Sequence, residues 1–339
     1  MPQQGPESMS RRQLLESGVS LLSASAVVGC GCASIAAAAK AESSNGSSAH
    51  PARGYSVSDI GGGLYWVTDG GYNTMFAVSS EGVLACDAPP SLGANYLKAI
   101  AEVTDKPVTH LVYSHEHIDH IAAAHLFPSS VKIVANRHTA DLLAKRADSR
   151  RPLPQIVFDD TYSLTVGNQT LELSYRGINH CLDNTFIYAP RQRVLMLIDV
   201  IYPGWMPYKN LGVAVDVPGF VEAHRQVLTF DFQTLVAGHV SRLGTRTDVE
   251  IQLAFLKDLA EACERAYVQL PFPAFLTAKT SQKASWDRHE DYERALVERV
   301  AADVGPRWRG KLEGFETYFR DNCWAMLETF VVQGAPRFD

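Results

Sequence analysis

His115-Glu116-His117-Ile118-Asp119-His120 places four metal-ligand side chains, three histidines and an aspartate, within six residues. The stretch follows a run at 108–114 that alternates and carries β-branched and aromatic residues (Val108, Thr109, Leu111, Val112, Tyr113), the pattern of a buried strand. The ligand-type residues therefore fall at a strand exit. On an extended turn, His115 and His117 at i and i+2 converge on one ion. Residues 118–126 are predicted as a helix whose first residues, Asp119 and His120, turn toward a second ion. Imidazole and carboxylate donors with no thiolate suit zinc, with iron and manganese chemically open. A lone His-x-His pair is common and carries no such meaning. Four donors at this spacing behind a strand read as half of a two-metal site.

The stretch resembles the His-x-His-x-Asp-His signature of the metallo-β-lactamase superfamily, and the rest of that family's ligand pattern is found downstream. His180, in Arg176-Gly-Ile-Asn-His180, matches the third histidine of the first metal. Asp199 closes the apolar run Val194-Leu-Met-Leu-Ile-Asp199, where the family places a carboxylate bridging both metals. His239 closes Thr234-Leu-Val-Ala-Gly-His239 and matches the last histidine of the second metal. The resemblance implies that His115, His117 and His180 hold one divalent ion and that Asp119, His120 and His239 hold the other, with Asp199 shared.

That resemblance covers residues 55–250 and implies an α/β fold, the αββα sandwich of the metallo-β-lactamase type. A helical C-terminal extension follows over 251–339. Strands are predicted at 64–68, 74–79, 83–87, 131–135, 171–175, 186–189, 194–198 and 235–237, and helices at 92–103, 139–147, 220–228, 249–268, 287–304 and 312–331. In the extension, Trp286, Trp308, Phe315, Tyr318, Phe319 and Trp324 crowd together. They read first as anchors of the tail and second as a roof over the site or a subunit contact.

Family members that are true β-lactamases typically lack the bridging aspartate, and some use a cysteine there. The chain therefore resembles the glyoxalase II and lactonase-like hydrolases. Cys181, beside His180, is off the cysteine-ligand position and reads as a small buried hydrophobe. The implied chemistry is hydrolysis: two ions sharing Asp199 lower the pKa of a bridging water to about 7, and the metal-bound hydroxide attacks a small ester, lactone, thioester or amide. Asp119 would be both ligand and orienter of that nucleophile. Tyr202 follows Asp199 by three residues, as in acyl-homoserine lactone lactonases, where the phenol contacts the substrate carbonyl oxygen. It reads equally well as a pocket wall beside Pro203, Trp205 and Tyr208. His50, His110, His125, His138, His224 and His289 match no ligand position and read as structural or surface residues.

Two other functions share this fold. One is a persulfide dioxygenase-like oxygenase with a single iron, against which the intact second set Asp119, His120 and His239 argues. The other is a non-catalytic periplasmic metal-binding or sulfur-carrier accessory protein.

The opening of the chain bears on location. Ser10-Arg11-Arg12-Gln13-Leu14-Leu15 resembles a twin-arginine export signal and precedes an uncharged, small-residue stretch at 18–39. Ala39-Lys40-Ala41 offers a cleavage site, and Val27-Val28-Gly29-Cys30 a competing lipobox. Residues 1–41 are thus expected to be a signal and 42–54 a flexible linker. The protein is expected to be exported, periplasmic or secreted, touching a membrane only through a lipid on Cys30. A net charge of -6 and a pI near 6.0 leave no basic stripe for nucleic acid, so the expected partner is a small-molecule substrate. Six scattered cysteines do not make a disulfide scaffold in a chain of 339 residues.

Overall fold

The computed structural model describes residues 51–278 and 285–338. The expected signal at 1–41, with Arg11, Arg12 and Cys30, and most of the linker at 42–54 lie outside the described residues. Twelve strands form two sheets among the described residues. The first holds β1 (Ser56–Gly61), β2 (Leu64–Thr68), β3 (Asn73–Val78), β4 (Val83–Cys86), β5 (Val108–Val112), β6 (Lys132–Asn136) and β7 (Ile156–Phe158), hydrogen-bonded in chain order. Its pairing is antiparallel as far as β4 and parallel from there on. The second holds β8 (Thr161–Val166), β9 (Gln169–Tyr175), β10 (Thr185–Ala189), β11 (Val194–Leu197) and β12 (Thr234–Ala237). Only β11 and β12 run parallel there.

Side chains alternate across each strand, and in the central strands β3, β4, β10 and β11 both faces are buried. In β11, Val194 and Met196, followed by Ile198, face a core shared with the first sheet through Leu84, Cys86 and Val112. Leu195 and Leu197 face the other way, into a layer of helices. That two-sided burial is why β11 reads as an unbroken apolar run. On the outer face of the first sheet, Phe76, Ala85 and Leu111 pack with Tyr96 and Ile100 of α1 (Ala94–Val103). Ile121 of α2 (Ile118–Ile121) and Leu143 of α3 (Arg137–Arg146) join the same layer. The layering is α, β, β, α, as expected.

The helix predicted at 118–126 is broken. Ala88 N–H donates to the His120 carbonyl at 2.8 Å, and its own carbonyl accepts from Ala123 N at 2.9 Å. Ala88 thus ties both groups to the end of β4, and the helix stops at Ile121, with a 3-10 turn at Ala124–Leu126. Strands β1, β7 and β8 were not expected. They are edge strands: β1 and β8 carry exposed polar positions, and β7 is a short apolar stretch.

The outer helical layer on the second sheet comprises α4 (Val217–Leu228), α5 (Arg246–Gln269), α6 (Phe272–Ala278), α7 (Ser285–Trp308) and α8 (Phe315–Val332). Phe255, Val300, Val304, Phe319, Cys323 and Met326 from these helices share one buried cluster with Leu195 and Leu197 of β11. The predicted extension is therefore packed as part of this layer, and residue 250 falls inside α5. Trp308, Phe315 and Phe319 are buried anchors, whereas Trp286 and Trp324 are exposed.

One buried polar relay joins α4 to α5. Gln252 accepts from Tyr202 N–H at 2.9 Å through its oxygen, and its amide nitrogen donates to the Val200 carbonyl at 2.7 Å. The same nitrogen lies 2.8 Å from His224 Nε2, so Nε2 accepts and Nδ1 carries the proton donated to the Phe220 carbonyl at 2.8 Å. Burial pushes the His224 pKa down to about 4. The unfolded chain takes up this proton below pH 6.5 and the folded chain does not, so the stability is present above pH 6.5 and lost as pH falls toward 4. In chemical denaturation of chelator-treated protein, His224→Gln is expected to remove roughly 2–3 kcal/mol of the stability drop between pH 6.5 and 4.5. Identical pH profiles would contradict the neutral assignment.

Candidate metal centre

All seven expected ligand residues come together, at strand ends of both sheets. His115, His117, Asp119 and His120 lie after β5 and in α2, His180 after β9, Asp199 after β11 and His239 after β12. They fall into two groups, His115, His117, His180 and Asp199, and Asp119, His120, Asp199 and His239, with ligand atoms within 4.8 Å of one another in each. Asp199 belongs to both. Its Oδ2 lies 3.0 Å from His120 Nε2, 3.3 Å from His180 Nε2 and 3.8 Å from His115 Nε2. Its Oδ1 lies 3.1 Å from His239 Nε2. His180 Nε2 is also 3.1 Å from His117 Nδ1.

The donor set fits a pair of divalent ions. His115 Nε2, both His120 nitrogens and Asp199 Oδ1 are buried with no aligned hydrogen-bond partner. Such orphaned groups each cost about 1–3 kcal/mol, which a coordinated cation would relieve. Burial, then the neighbouring His117 and His120, hold the His115 pKa well below the usual range, so the ring is neutral as a ligand requires. Burial opposes ionisation of Asp199, but the neighbouring imidazoles, His120 first among them, outweigh it and hold the carboxyl well below its usual range. Burial likewise lowers His120, and Asp199 then lifts it to about 9. The carboxylate is the electrostatic centre of the cluster.

Hydrogen bonds behind the rings aim the donors. Asp87 accepts from Ser114 N and Ser114 Oγ, both at 2.7 Å, and Ser114 Oγ lies 2.9 Å from His115 Nδ1. Because the hydroxyl donates to Asp87, it accepts from His115 Nδ1–H, which leaves Nε2 facing the cluster. His180 Nδ1 lies 2.7 Å from the Gly212 carbonyl, which only accepts, so Nδ1 is protonated and Nε2 is the free donor. Glu116 holds the loop between the two histidines. Its N–H donates to Asp183 Oδ2 at 2.7 Å, and its carboxylate pairs with buried Arg151 at 2.8 Å and with Arg146 at 3.1 Å. Removing one partner of such a buried pair typically costs about 3–5 kcal/mol.

Tyr202 lies where its spacing put it, at the edge of the cluster. Its ring is stacked beside His239, with centroids 6.5 Å apart, and its buried hydroxyl donates to the Asp199 carbonyl at 3.3 Å. Sequence reasoning missed Tyr72. Its hydroxyl donates to Asp119 Oδ2 at 3.3 Å and its ring meets His239 edge-on at 4.6 Å. Its one sequence signal is the Gly70-Gly71 turn in front of it. Burial, then the Asp119 charge, raise its pKa to about 12, so the phenol stays protonated at neutral pH.

A family model described as the metallo-beta-lactamase superfamily matches residues 66–239, about half of the chain. The chain belongs to the metallo-beta-lactamase superfamily. This superfamily member is 29% identical over 210 residues to the 2,4-dinitroanisole O-demethylase subunit alpha of Nocardioides sp. (strain JS1661), a match over 60% of the chain. It is 28% identical over 127 residues to the metallo-beta-lactamase type 2 of Elizabethkingia meningoseptica, a match over 37% of the chain. The matches span 62% and 50% of those relatives' own lengths. A solved metallo-beta-lactamase from Pontibacter korlensis superposes with a TM-score of 0.50 at 21% identity, over 59% of this chain and 97% of that one. At that identity the likeness shows the fold alone.

Gly238 lets the two sheets close on the cluster of this superfamily member. A Cβ there would lie 2.6 Å from Asp199 Oδ1, 2.7 Å from Ile198 Cγ2 and 3.1 Å from His120 Cε1. Gly238→Ala is therefore expected to push the carboxylate aside and weaken divalent-metal binding on the order of ten- to a hundredfold. Competition titration against a chelator checks it. An unchanged affinity would mean that the ions do not depend on this carboxylate.

Proposed function

We propose that this protein is a two-metal hydrolase of small ester, lactone, thioester or amide substrates. The observation that carries the reading is the pair of donor groups that meet at Asp199, five histidines and two aspartates in all. His115, His117, His180 and Asp199 would hold one ion, and Asp119, His120, His239 and Asp199 the other. When bound, such ions lower the pKa of water to about 7 and polarise a carbonyl, which is the chemistry hydrolysis needs. Zinc suits these donors, with iron and manganese as the alternatives.

The chain's own residues divide the remaining work. Asp119 has a half-exposed carboxylate, so it can take a hydrogen bond from the attacking water while Tyr72 holds its Oδ2. The Tyr202 hydroxyl makes only a long bond to the Asp199 carbonyl and is free to exchange it for a substrate oxygen that gains negative charge. Ile118, Ile178, Leu182 and Val213 are exposed on the segments that carry or flank His117 and His180, an apolar rim suited to a substrate with an apolar substituent. The reading includes export, on the strength of the twin arginines at Arg11 and Arg12.

A panel of chromogenic esters, lactones, thioesters and cephalosporins tests the reading. The relative named for O-demethylation of 2,4-dinitroanisole adds nitroaryl methyl ethers to the panel, because a ring carbon made electron-poor by nitro groups is open to the same nucleophile. At least one hydrolytic activity is expected that a chelator abolishes and zinc restores. Oxygen uptake in place of hydrolysis would overturn the proposal in favour of a dioxygenase. On the best substrate, Tyr202→Phe is expected to keep metal binding yet lower turnover roughly ten- to a thousandfold, the loss of one oxyanion donor. An unchanged turnover number would reduce Tyr202 to a pocket wall.

A further inference from the structure

Four consecutive residues between β11 and α4 have left-handed backbones: Asn210 (φ 54), Leu211 (φ 55), Gly212 (φ 71) and Val213 (φ 54). L-residues visit this region singly, with asparagine the least penalised and a β-branched residue such as Val213 the most. A run of four is therefore held in place by its surroundings. Gly212 N–H closes the turn on the Tyr208 carbonyl at 2.7 Å. The outside support comes from α8. Buried Asn322 accepts from Leu211 N–H at 2.7 Å and donates to the Pro207 carbonyl at 3.0 Å, spending both ends of its amide on this one loop.

The turn in turn faces the metal centre. A Cβ on Gly212 would lie 2.9 Å from the Tyr202 hydroxyl and 3.3 Å from the Asp199 carbonyl, so the turn rests directly on the segment that carries both. The Gly212 carbonyl accepts from His180 Nδ1 at 2.7 Å. That bond fixes which ring nitrogen is protonated and points Nε2 at His117 and Asp199.

We infer that Asn322 is a positioning residue for the metal centre: it clamps the left-handed turn at 209–213 so that the Gly212 carbonyl sets the tautomer and aim of His180. The inference rests on the two-metal reading proposed above. It gives the C-terminal helices a task beyond packing. The first ion, held through His180, feels Asn322, whereas the second, held by Asp119, His120 and His239, feels it only through Asp199.

The test is stepwise competition titration of zinc against a chelator, with thermal unfolding of the metal-free protein recorded alongside. Asn322→Ala is expected to weaken one of the two ions ten- to a hundredfold, the usual effect of losing support behind a ligand, and to leave the other within a few-fold. Leu327→Ala, a cavity in the same helix but turned well away from the Asn322 face, serves as the structural control. It should lower the unfolding temperature and leave both affinities unchanged. Adding Val213→Gly to Asn322→Ala removes the most strained, exposed residue of the turn and should restore part of the lost affinity. That double variant also serves if Asn322→Ala alone does not fold. Wild-type affinities in Asn322→Ala, or equal weakening by Leu327→Ala, would overturn the inference alone. A wild-type chain that takes up no ion would overturn both the inference and the two-metal reading.

Discussion

The structure is organised around one carboxylate. Asp199 sits buried at the end of β11 with the imidazoles of His115, His120, His180 and His239 within 3.0–3.8 Å of its two oxygens. Packing several imidazoles and a carboxylate away from water is unfavourable unless their lone pairs are shared with a cation. The residue itself is left-handed at φ 60, a conformation that costs on the order of 1–3 kcal/mol for a residue other than glycine. The fold supplies that energy through its layers. Val194, Met196 and Ile198 on one side and Leu195 and Leu197 on the other are all buried, at about 1.5–3 kcal/mol per side chain.

Each ligand is then aimed by a group that is not itself a ligand. Asp87 and Ser114 orient His115, the Gly212 carbonyl orients His180, and the Glu116 pairs with Arg146 and Arg151 fix the loop between His115 and His117. Asn73 holds the carbonyls of His239 and Val240 at 3.0 and 2.8 Å. These supports come from β3, the end of β4, α3 and the loop after it, and the turn before α4. The centre is therefore as rigid as the whole sandwich. The outer helices take part as well, since Gln252 of α5 carries the backbone of Val200 and Tyr202.

The candidate donors at 115–120 were legible in the sequence because few residue types can hold a metal and four of them crowd together behind an apolar run. His180, Asp199 and His239 were placed by the resemblance to the metallo-β-lactamase superfamily, which said where to look for them. Strands buried on both faces, such as β11, were equally plain. The edge strands β1 and β8 were not, because a strand exposed on one side carries polar residues that read as loop, and β7 is only three residues long. The supporting residues were invisible for a different reason. Asp87, Gly212, Gly238 and Asn322 act through partners far away in the chain, and nothing local distinguishes Asn322 from any polar residue on an amphipathic helix. Tyr72 lies 47 residues from the Asp119 it touches. Breaking of the helix after Ile121 likewise depended on Ala88, a contact that periodicity cannot register.

The shared carboxylate is most directly tested by counting metal in purified, folded protein by elemental analysis, for the wild type beside Asp199→Ala. About two ions per chain in the wild type, and a clear loss in the variant while its far-ultraviolet spectrum is unchanged, are what a bridging Asp199 requires. A wild type that saturates at one ion, or an Asp199→Ala chain that still carries two, would contradict it.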